Sequence, residues 1–313
     1  MLEEAPSFAT FWSGTQLSAF EASCLHSFAV RGYETIVYSF DLIENVPDGV
    51  TLVNASEIAP AAALTRFLYE GKPNLSHFSD YFRYLLFSKT KHVWIDADML
   101  MMRPVRFPLG RTVLACERRN SICGAILRLD SDKPELARLI AETEAAMDRE
   151  LIWGQTGPRL LTSVFGHAGV FRAAHEPKLF FPVPHDDFWK VFLPGFRDEC
   201  AALCESGITV HLWNNIVDRL GVWKMLAPPA GSFLAEQFEA DGSMRFFRDA
   251  YPAKVMQQMV ENWLLRKNGG DLGIRNLSRQ LVPSVFRTAR HYWGDIRVPF
   301  FSQPAPPGRA RPR

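Results

Sequence analysis

Residues 76–98 read SHFSDYFRYLLFSKTKHVWIDAD, which is a helix signal followed directly by a strand signal. Ser76 is placed to cap a helix that runs to about Ser88. Residues 91–96 form an apolar, β-rich run that ends in an acid. A strand that follows a helix and ends in acidic residues is typical of an α/β sheet, in which ligands bind outside the carboxyl ends of the strands.

The chain on both sides of this segment shows the same alternation of helix and strand signals. Ser18 and Glu21 fit the capping-box pattern at the start of a helix, and further helices are expected near 61–69 and over 134–149. Strands separated by helices predict a mostly parallel sheet flanked by helices. The other strand signals lie at 7–12, 34–40, 50–53, 112–117 and 124–129.

The composition is that of a globular protein of enzyme size. The chain has 313 residues, of which 47% are hydrophobic and 22% charged, and its 20 Gly and 21 Pro exclude collagen-like and broadly disordered classes. The net charge of +1 gives no global field that would recruit nucleic acid, so no nucleic-acid partner is expected. Five cysteines, an odd number, do not make a disulfide framework.

The expected domain organisation is an α/β domain at 1–242, a helical C-terminal extension at 243–300 and a disordered basic tail at 301–313. Within the extension, residues 253–267 form an amphipathic pattern that suits packing on the domain, a membrane surface or a partner helix. The first residues lack the basic and apolar regions of a signal peptide, and no apolar run is long enough to span a membrane. A cytoplasmic protein is therefore expected.

Charge is distributed unevenly along the chain. Residues 271–313 contain eight Arg against two Asp, a net charge of +6, whereas the preceding residues carry −5. Such a segment is either a solvated, partly disordered tail or a contact with an anionic surface. The second interpretation predicts peripheral contact with an anionic membrane, on its inner face.

Two carboxylates, Asp96 and Asp98, come directly after the apolar strand. At positions i and i+2 of an extended strand they point the same way, so both can face one divalent cation. Hard oxygen ligands suit Mg²⁺ or Mn²⁺, which take further ligands from water and substrate phosphates. A haloacid dehalogenase phosphatase also has Asp-x-Asp after a strand, but it expects Thr or Val where this chain has Leu100.

Asp80 and Arg83 are three residues apart and share one face of the predicted helix. An Asp and an Arg beside a carboxylate pair suit a sugar attached to a diphosphate, since carboxylates accept from sugar hydroxyls and guanidinium binds phosphate oxygens. An ordinary intrahelical salt bridge is the alternative.

Residue types alone also permit two weaker metal sites: zinc at Cys200 and Cys204, and a cation at residues 185–187, His-Asp-Asp.

Together these motifs resemble a known family. The block SDYFRY (79–84) with VWIDAD (93–98) resembles the DXD region of glycosyltransferases that include α-1,4-galactosyl- and α-1,6-mannosyltransferases and, more distantly, the clostridial glucosylating toxins. The resemblance covers about residues 7–235 in the family's order, and it implies a GT-A, Rossmann-like fold. Its further elements are FWSG (11–14), VPDGVTLVNASEI (46–58), GQTGP (154–158) and HLWN (211–214).

The resemblance implies a role for each matched residue. Trp12, with Gly14 nearby, would stack on the nucleotide base, while Asp80 and Arg83 would hold the donor sugar and phosphate. Mn²⁺ or Mg²⁺ would be bound by the acids of the DXD motif, Asp98 with Asp96, together with His211. Trp213 would donate to the diphosphate as it leaves. Gln155, Gly157 and Pro158 would shape the acceptor side of the pocket.

The implied activity is metal-dependent transfer of a hexose from a nucleotide-diphospho sugar to a glycan or lipid-linked acceptor in bacterial surface polysaccharide synthesis. Resemblance to α-forming members implies retention of configuration, with a UDP-hexose favoured as donor and GDP-mannose open. Two alternatives are a non-catalytic nucleotide-sugar or glycan-binding module and a toxin-like effector that glycosylates a protein. The chain departs from the family at 89–92, KTKH, where Gly-Gly commonly precedes the strand, and at Asn215, where an acid often stands.

Overall fold

The structure, a computed structural model, divides into two compact units, Met1–Met256 and Gln257–Arg313. The expectations for the basic segment 271–313 fall outside the described residues, apart from Leu281 and Val285. The residues that the structure describes are 5–105, 112–118, 120–166 and 174–269, with Leu281 and Val285.

Six strands of the first unit form its central sheet, in the order β3-β2-β1-β6-β9-β8. Strands β1, β2, β3 and β6 are parallel, whereas β9 is antiparallel to both β6 and β8. The predicted α/β class with a mostly parallel sheet is confirmed. The strands of the described residues are β1 (Phe8–Phe11), β2 (Thr35–Ser39), β3 (Val50–Asn54), β4 (Leu68–Tyr69), β5 (Lys72–Pro73), β6 (Val93–Ile95), β7 (Met99–Met101), β8 (Val113–Arg118), β9 (Ser121–Arg128), β10 (Thr209–His211), β11 (Leu226–Ala227) and β12 (Asp249–Ala250).

Helices cover both faces of this sheet. Val93 and Ile95 of β6 pack into one hydrophobic core with residues of the first helix, while Trp94 between them packs into a second core with the next helices. Successive strand residues point to opposite faces, so an uninterrupted apolar strand serves both cores. The α-helices are α1 (Ala19–Ala29), α2 (Leu75–Lys89), α3 (Pro134–Glu144), α4 (Pro158–Phe165), α5 (Pro177–Phe180), α6 (Arg197–Leu203), α7 (Asn214–Leu220), α8 (Phe233–Ala240) and α9 (Ala253–Lys267).

The predicted capping box at Ser18 and Glu21 is present at the start of α1. Helix α2 is capped earlier than predicted, because the side chain of Asn74, rather than Ser76, accepts a hydrogen bond from the backbone of His77 at 3.1 Å. Asn and Ser are comparable caps, so the type of residue alone does not decide between neighbouring positions.

Two predicted helices differ from the observed elements. The helix expected near 61–69 is a 3₁₀ helix, Ala61–Thr65, followed by strand β4. The surface helix expected over 134–149 ends at Glu144. Asp148 then adopts a positive φ of 59°, a backbone conformation that does not continue a right-handed helix.

A two-stranded antiparallel ribbon of β7 and β10 lies outside the central sheet. His211 pairs with Met99 in this ribbon, so the end of β10 lies beside the turn that precedes β7. Among the described residues, no helix combines the length and apolar character needed to cross a bilayer.

Candidate active site

A cleft of about 850 Å³ lies at the carboxyl edge of the parallel strands. The ends of β1 and β6 and the turn between β8 and β9 meet there, where ligands bind in open α/β sheets. Gly14, Gln155 and Gly157 are not among the residues that line the cleft. The other residues to which the family resemblance assigns a role all line it: Trp12, Asp80, Arg83, Asp96, Asp98, Pro158, His211 and Trp213.

A cluster of three ligand-type side chains stands in this cleft. One donor atom each from Asp96, Asp98 and His211 lies within 4.8 Å of the others. The two acids do not sit on an extended strand as expected: β6 ends at Ile95, and Asp98 belongs to the turn that leads into β7. Within the described ranges no other group of His, Cys, Asp or Glu is gathered in this way, so neither the cysteine pair nor residues 185–187 forms a metal centre there.

Asp98 and His211 form a buried ion pair, with His211 Nε2 3.2 Å from Asp98 Oδ1. Burial alone would raise the pKa of Asp98, but the charge and hydrogen bond of His211 outweigh it and lower that pKa. Burial likewise opposes charge on His211, while Asp98 raises the pKa of the imidazole above its usual value. The carboxylate is therefore ionised at neutral pH, as a metal ligand must be.

Trp213 stands directly beside this pair. Its backbone has a φ of 55°, a left-handed conformation that costs a non-glycine residue about 1–3 kcal/mol. Its ring lies 3.9 Å from that of His211 and 4.9 Å from that of His185. The buried Trp213 Nε1 and His211 Nδ1 find no hydrogen-bond partner among the described residues, an arrangement that suits a bound polar ligand.

Asp80, Arg83 and Asp96 form a chain of charges across the floor of the cleft. Arg83 Nη2 lies 3.3 Å from Asp80 Oδ1 and 3.2 Å from Asp96 Oδ1, and its guanidinium stacks on Trp94. Trp94 Nε1 donates to the same Asp96 oxygen at 2.7 Å. The Asp80–Arg83 pair is therefore more than an intrahelical salt bridge, because Arg83 also connects helix α2 to Asp96 after β6.

Thr156 and His77 extend this chain, although no sequence pattern predicts a role for either residue. Thr156 Oγ1 donates to Asp80 Oδ2 at 2.8 Å and lies 2.6 Å from His77 Nδ1. Since the threonine hydroxyl donates its proton to Asp80, it accepts from His77, which leaves His77 Nε2 as a bare acceptor. Thr156 belongs to the GQTGP motif, but that motif assigns no role to it.

Two glycines make room for these buried charges. A Cβ on Gly124 would overlap Arg83 Nη1, and a Cβ on Gly157 would stand 2.7 Å and 2.8 Å from the carboxylate oxygens of Asp80. Gly157 thus lies against the carboxylate of Asp80, and its expected place on the acceptor side stays a prediction. Gly124 carries no signal in the sequence, because its importance depends on what folds against it.

Further residues hold Asp98 of this cluster in place. The backbone of Asn214 donates to Asp98 Oδ2 at 2.7 Å, and its side chain donates to Glu21 Oε1 at 2.8 Å. Lys224 Nζ also lies 2.8 Å from Glu21 Oε1, so this fully buried carboxylate is paired. The sequence pattern predicts Glu21 only as part of the capping box. In the folded chain Glu21 also accepts a hydrogen bond from the side chain of Asn214.

Trp12 follows β1 at the same edge of the sheet. Its Nε1 donates to the carbonyl of Gln16 at 3.0 Å, and its half-buried ring lines the cleft. Gly14 has a φ of 118° and donates its backbone N–H to Asp41 at 2.8 Å. Because residues with a side chain rarely adopt this backbone conformation, the turn needs a glycine. The turn lets the chain fold back beside the indole of Trp12.

Burial raises the pKa of Asp80 from its ordinary value to about 6, although Arg83 and Thr156 oppose the change. The folded chain thus binds this proton more tightly than the unfolded chain, and stability falls as pH rises from about 4 to about 6. We expect Asp80→Asn to be more stable than the wild type at about pH 8, by up to about 3 kcal/mol, and equal to it near pH 4. Urea unfolding of both proteins across this range measures the difference. A difference that does not change with pH would contradict this prediction.

No protein-family model matches the chain. Individual proteins of similar sequence were nevertheless found. A stretch of 147 residues is 28% identical to the lactosylceramide 4-alpha-galactosyltransferase of Rattus norvegicus, covering 44% of this chain and 40% of that enzyme. The enzyme of Mus musculus is 29% identical with the same coverage, and that of Homo sapiens is 28% identical, with 41% of it covered. The chain therefore spans about two fifths of the length of these relatives.

Two solved structures are distantly similar. PaToxG glycosyltransferase is 11% identical, with 54% of this chain and 72% of that chain covered at a TM-score of 0.39. The apo structure of the bifunctional glycosyltransferase WbbM is 10% identical, with 78% and 51% covered at a TM-score of 0.45. The chain itself shows an α/β fold with a cluster of two aspartates and a histidine in the cleft at its strand ends. The relatives named above that it resembles in sequence are galactosyltransferases.

Proposed function

We propose that this chain is a metal-dependent glycosyltransferase that moves a hexose from a nucleotide-diphospho sugar to a glycan or lipid-linked acceptor. The observation that carries the proposal is the group of Asp96, Asp98 and His211, which stands beside the indole N–H of Trp213, a donor without a partner among the described residues. The charge chain of Asp80 and Arg83 lies in the same cleft. The galactosyltransferase relatives favour sugar transfer over a binding module, and a UDP-hexose is the proposed donor.

The donor set fits a divalent cation. Two carboxylates and one imidazole within 4.8 Å of one another suit Mn²⁺, and the carboxylates suit Mg²⁺ as well. The second layer of Asn214, Glu21 and Lys224 holds Asp98, as supporting residues commonly do around bound metals. A cation bound here would supply positive charge against the leaving nucleoside diphosphate.

The chain's own residues supply the remaining interactions. Trp213 Nε1 donates a hydrogen bond to the leaving diphosphate, and Arg83 adds a fixed positive charge near it. Asp80 accepts hydrogen bonds from hydroxyls of the donor sugar, while the ring of Trp12 stacks on the base. These groups are held in place by other protein atoms before the donor arrives, so they need little reorganisation during transfer.

We further propose that transfer retains the anomeric configuration, by attack of the acceptor on the face from which the diphosphate departs. An NMR spectrum of the product of an α-linked donor tests this, because a β-linkage would exclude retention.

We also propose that the protein acts in bacterial surface polysaccharide synthesis and is located in the cytoplasm. In this proposal the basic segment 271–313 contacts anionic lipid. Equal liposome binding with and without that segment would remove the last point.

A panel of UDP- and GDP-sugars, each incubated with Mn²⁺, Mg²⁺ or EDTA, tests the proposed activity. We expect hydrolysis or transfer of one UDP-hexose with Mn²⁺ or Mg²⁺, and EDTA should lower the rate by about 10²-fold or more. Mn²⁺ should also raise the melting temperature, because a ligand that binds only the folded chain stabilises it. Absence of binding to every nucleotide sugar, measured by calorimetry, would refute the proposal.

A further inference from the structure

The strand order fixes what lies on either side of the metal-ligand cluster. Trp12 follows β1, Asp96 follows β6, and the strand beyond β6 is β9. A ligand that extends from Trp12 across the cluster therefore reaches β9 and the residues packed on it. If the nucleotide occupies the Trp12 side, the β9 side is left for the second substrate.

Helix α4 and the loop before it form the wall on the β9 side. Thr162 of α4 accepts a hydrogen bond from the backbone of Ile122 in β9 at 3.2 Å. The side chain of Leu161 lies 3.5 Å from the position that a Cβ on Gly124 would take. Trp153, in the turn that leads into α4, and Arg159, in the first turn of that helix, both line the cleft.

Trp153 presents a broad apolar surface on this wall. Its side chain is 43% exposed, although it lines the cleft. Its ring meets Tyr69 edge-on at 5.8 Å and His77 at 6.5 Å, and these contacts restrict its orientation. A fixed, exposed indole offers a large contact area at low entropic cost, which suits the apolar face of a sugar ring.

Arg159 carries a positive charge on the same wall of the cleft. The other charged side chains of the cleft that the structure describes are paired: Arg83 with two aspartates, Asp98 with His211, and Glu117 with Arg118. No acidic partner for Arg159 is found among the described residues, and its Cγ lies 3.9 Å from the Cβ position of Gly154, next to Trp153. A free guanidinium matches the paired oxygens of a carboxylate or a phosphate.

We propose that Trp153 and Arg159 form the acceptor subsite, and that the acceptor is a glycan whose terminal sugar carries a negative charge. The inference rests on the proposed function, since only a transferase needs a second sugar in this cleft. Trp153 stacks on the terminal ring, and Arg159 binds its anionic group. A uronic acid and a phosphorylated hexose share this chemistry.

The test compares acceptors that differ only in the group at C6 of the terminal sugar: one glycoside ending in glucose, in glucuronic acid or in glucose 6-phosphate. The wild type should prefer an anionic form, and which one it prefers identifies the group. Arg159→Gln should raise KM for the anionic acceptor by about 10-fold, with little change for the neutral one, as expected for loss of a charge-assisted hydrogen bond. Trp153→Ala should raise KM for all three acceptors.

Donor KM and calorimetric nucleotide binding, measured in the same proteins, separate this inference from the proposed function. Trp223→Ala and Arg138→Gln are matched controls, because both side chains are exposed and neither lines the cleft. A higher donor KM in either test variant would overturn the assignment, as would an Arg159→Gln effect equal on neutral and anionic acceptors. A wild type that hydrolyses the donor yet prefers the neutral acceptor refutes the inference alone. Absence of nucleotide binding refutes the proposed function.

Discussion

Replacing Asp98 with asparagine is expected to lower metal-dependent sugar transfer by about 10²–10³-fold. Asparagine keeps the shape of the side chain and can still accept from the backbone of Asn214, which lies 2.7 Å from Asp98 Oδ2. It removes the negative charge that the cation needs and that pairs with His211. Initial rates of donor hydrolysis and a calorimetric titration with Mn²⁺ measure the two losses separately.

Asp148→Asn is the matched control for this substitution. Asp148 is exposed and forms a surface pair with Arg66 at 2.6 Å, and such solvent-exposed pairs contribute little to stability. The control should therefore keep the wild-type rate and the wild-type Mn²⁺ affinity. If Asp98→Asn kept both as well, the cluster after β6 would not be the metal site.

Gly124→Ala is expected to lower kcat/KM by about 10²-fold, although no reacting group is changed. The added Cβ would occupy the place of Arg83 Nη1, so the guanidinium must leave its position between Asp80 and Asp96. The end of a long side chain can move without unfolding the domain, and circular dichroism should stay unchanged. The loss should appear in donor KM and in kcat together.

Gly195→Ala provides the control for that experiment, because a Cβ at Gly195 has no heavy atom within 4 Å of it among its described surroundings. Gly157→Ala should behave like Gly124→Ala, since its Cβ would crowd the carboxylate of Asp80. Wild-type kinetics in Gly124→Ala would mean that the position of Arg83 is unimportant for transfer.

The fold class could be predicted because apolar strands that serve two cores leave a strong local pattern. Val93, Trp94 and Ile95 are all buried, and such an uninterrupted apolar run between helix signals is typical of a strand covered on both faces. The predictions of individual helices that were wrong also concern local structure. Asn74 rather than Ser76 is the cap, and Leu68 and Tyr69 form a short strand, because tertiary contacts decide between near-equal local preferences.

For the site, local patterns are sufficient to nominate Asp96 and Asp98, which follow a strand, and Arg83, which shares a helix face with Asp80. Gathering them with His211 requires the pairing of β7 with β10, which no local pattern specifies. The roles of Gly124 and Thr156 and the second role of Glu21 have no sequence signature, since these residues act by leaving room or by holding another side chain. Such roles depend on neighbours that only the folded chain supplies.

The ribbon of β7 and β10 also sets when in folding the metal-ligand cluster can assemble. Asp98 and His211 are remote in sequence, and closing so long a loop is slow compared with forming local helices and hairpins. The cluster should therefore be completed late, after the central sheet has formed. A cation added during refolding would then trap only molecules that are already nearly native, so it should slow unfolding far more than it speeds folding.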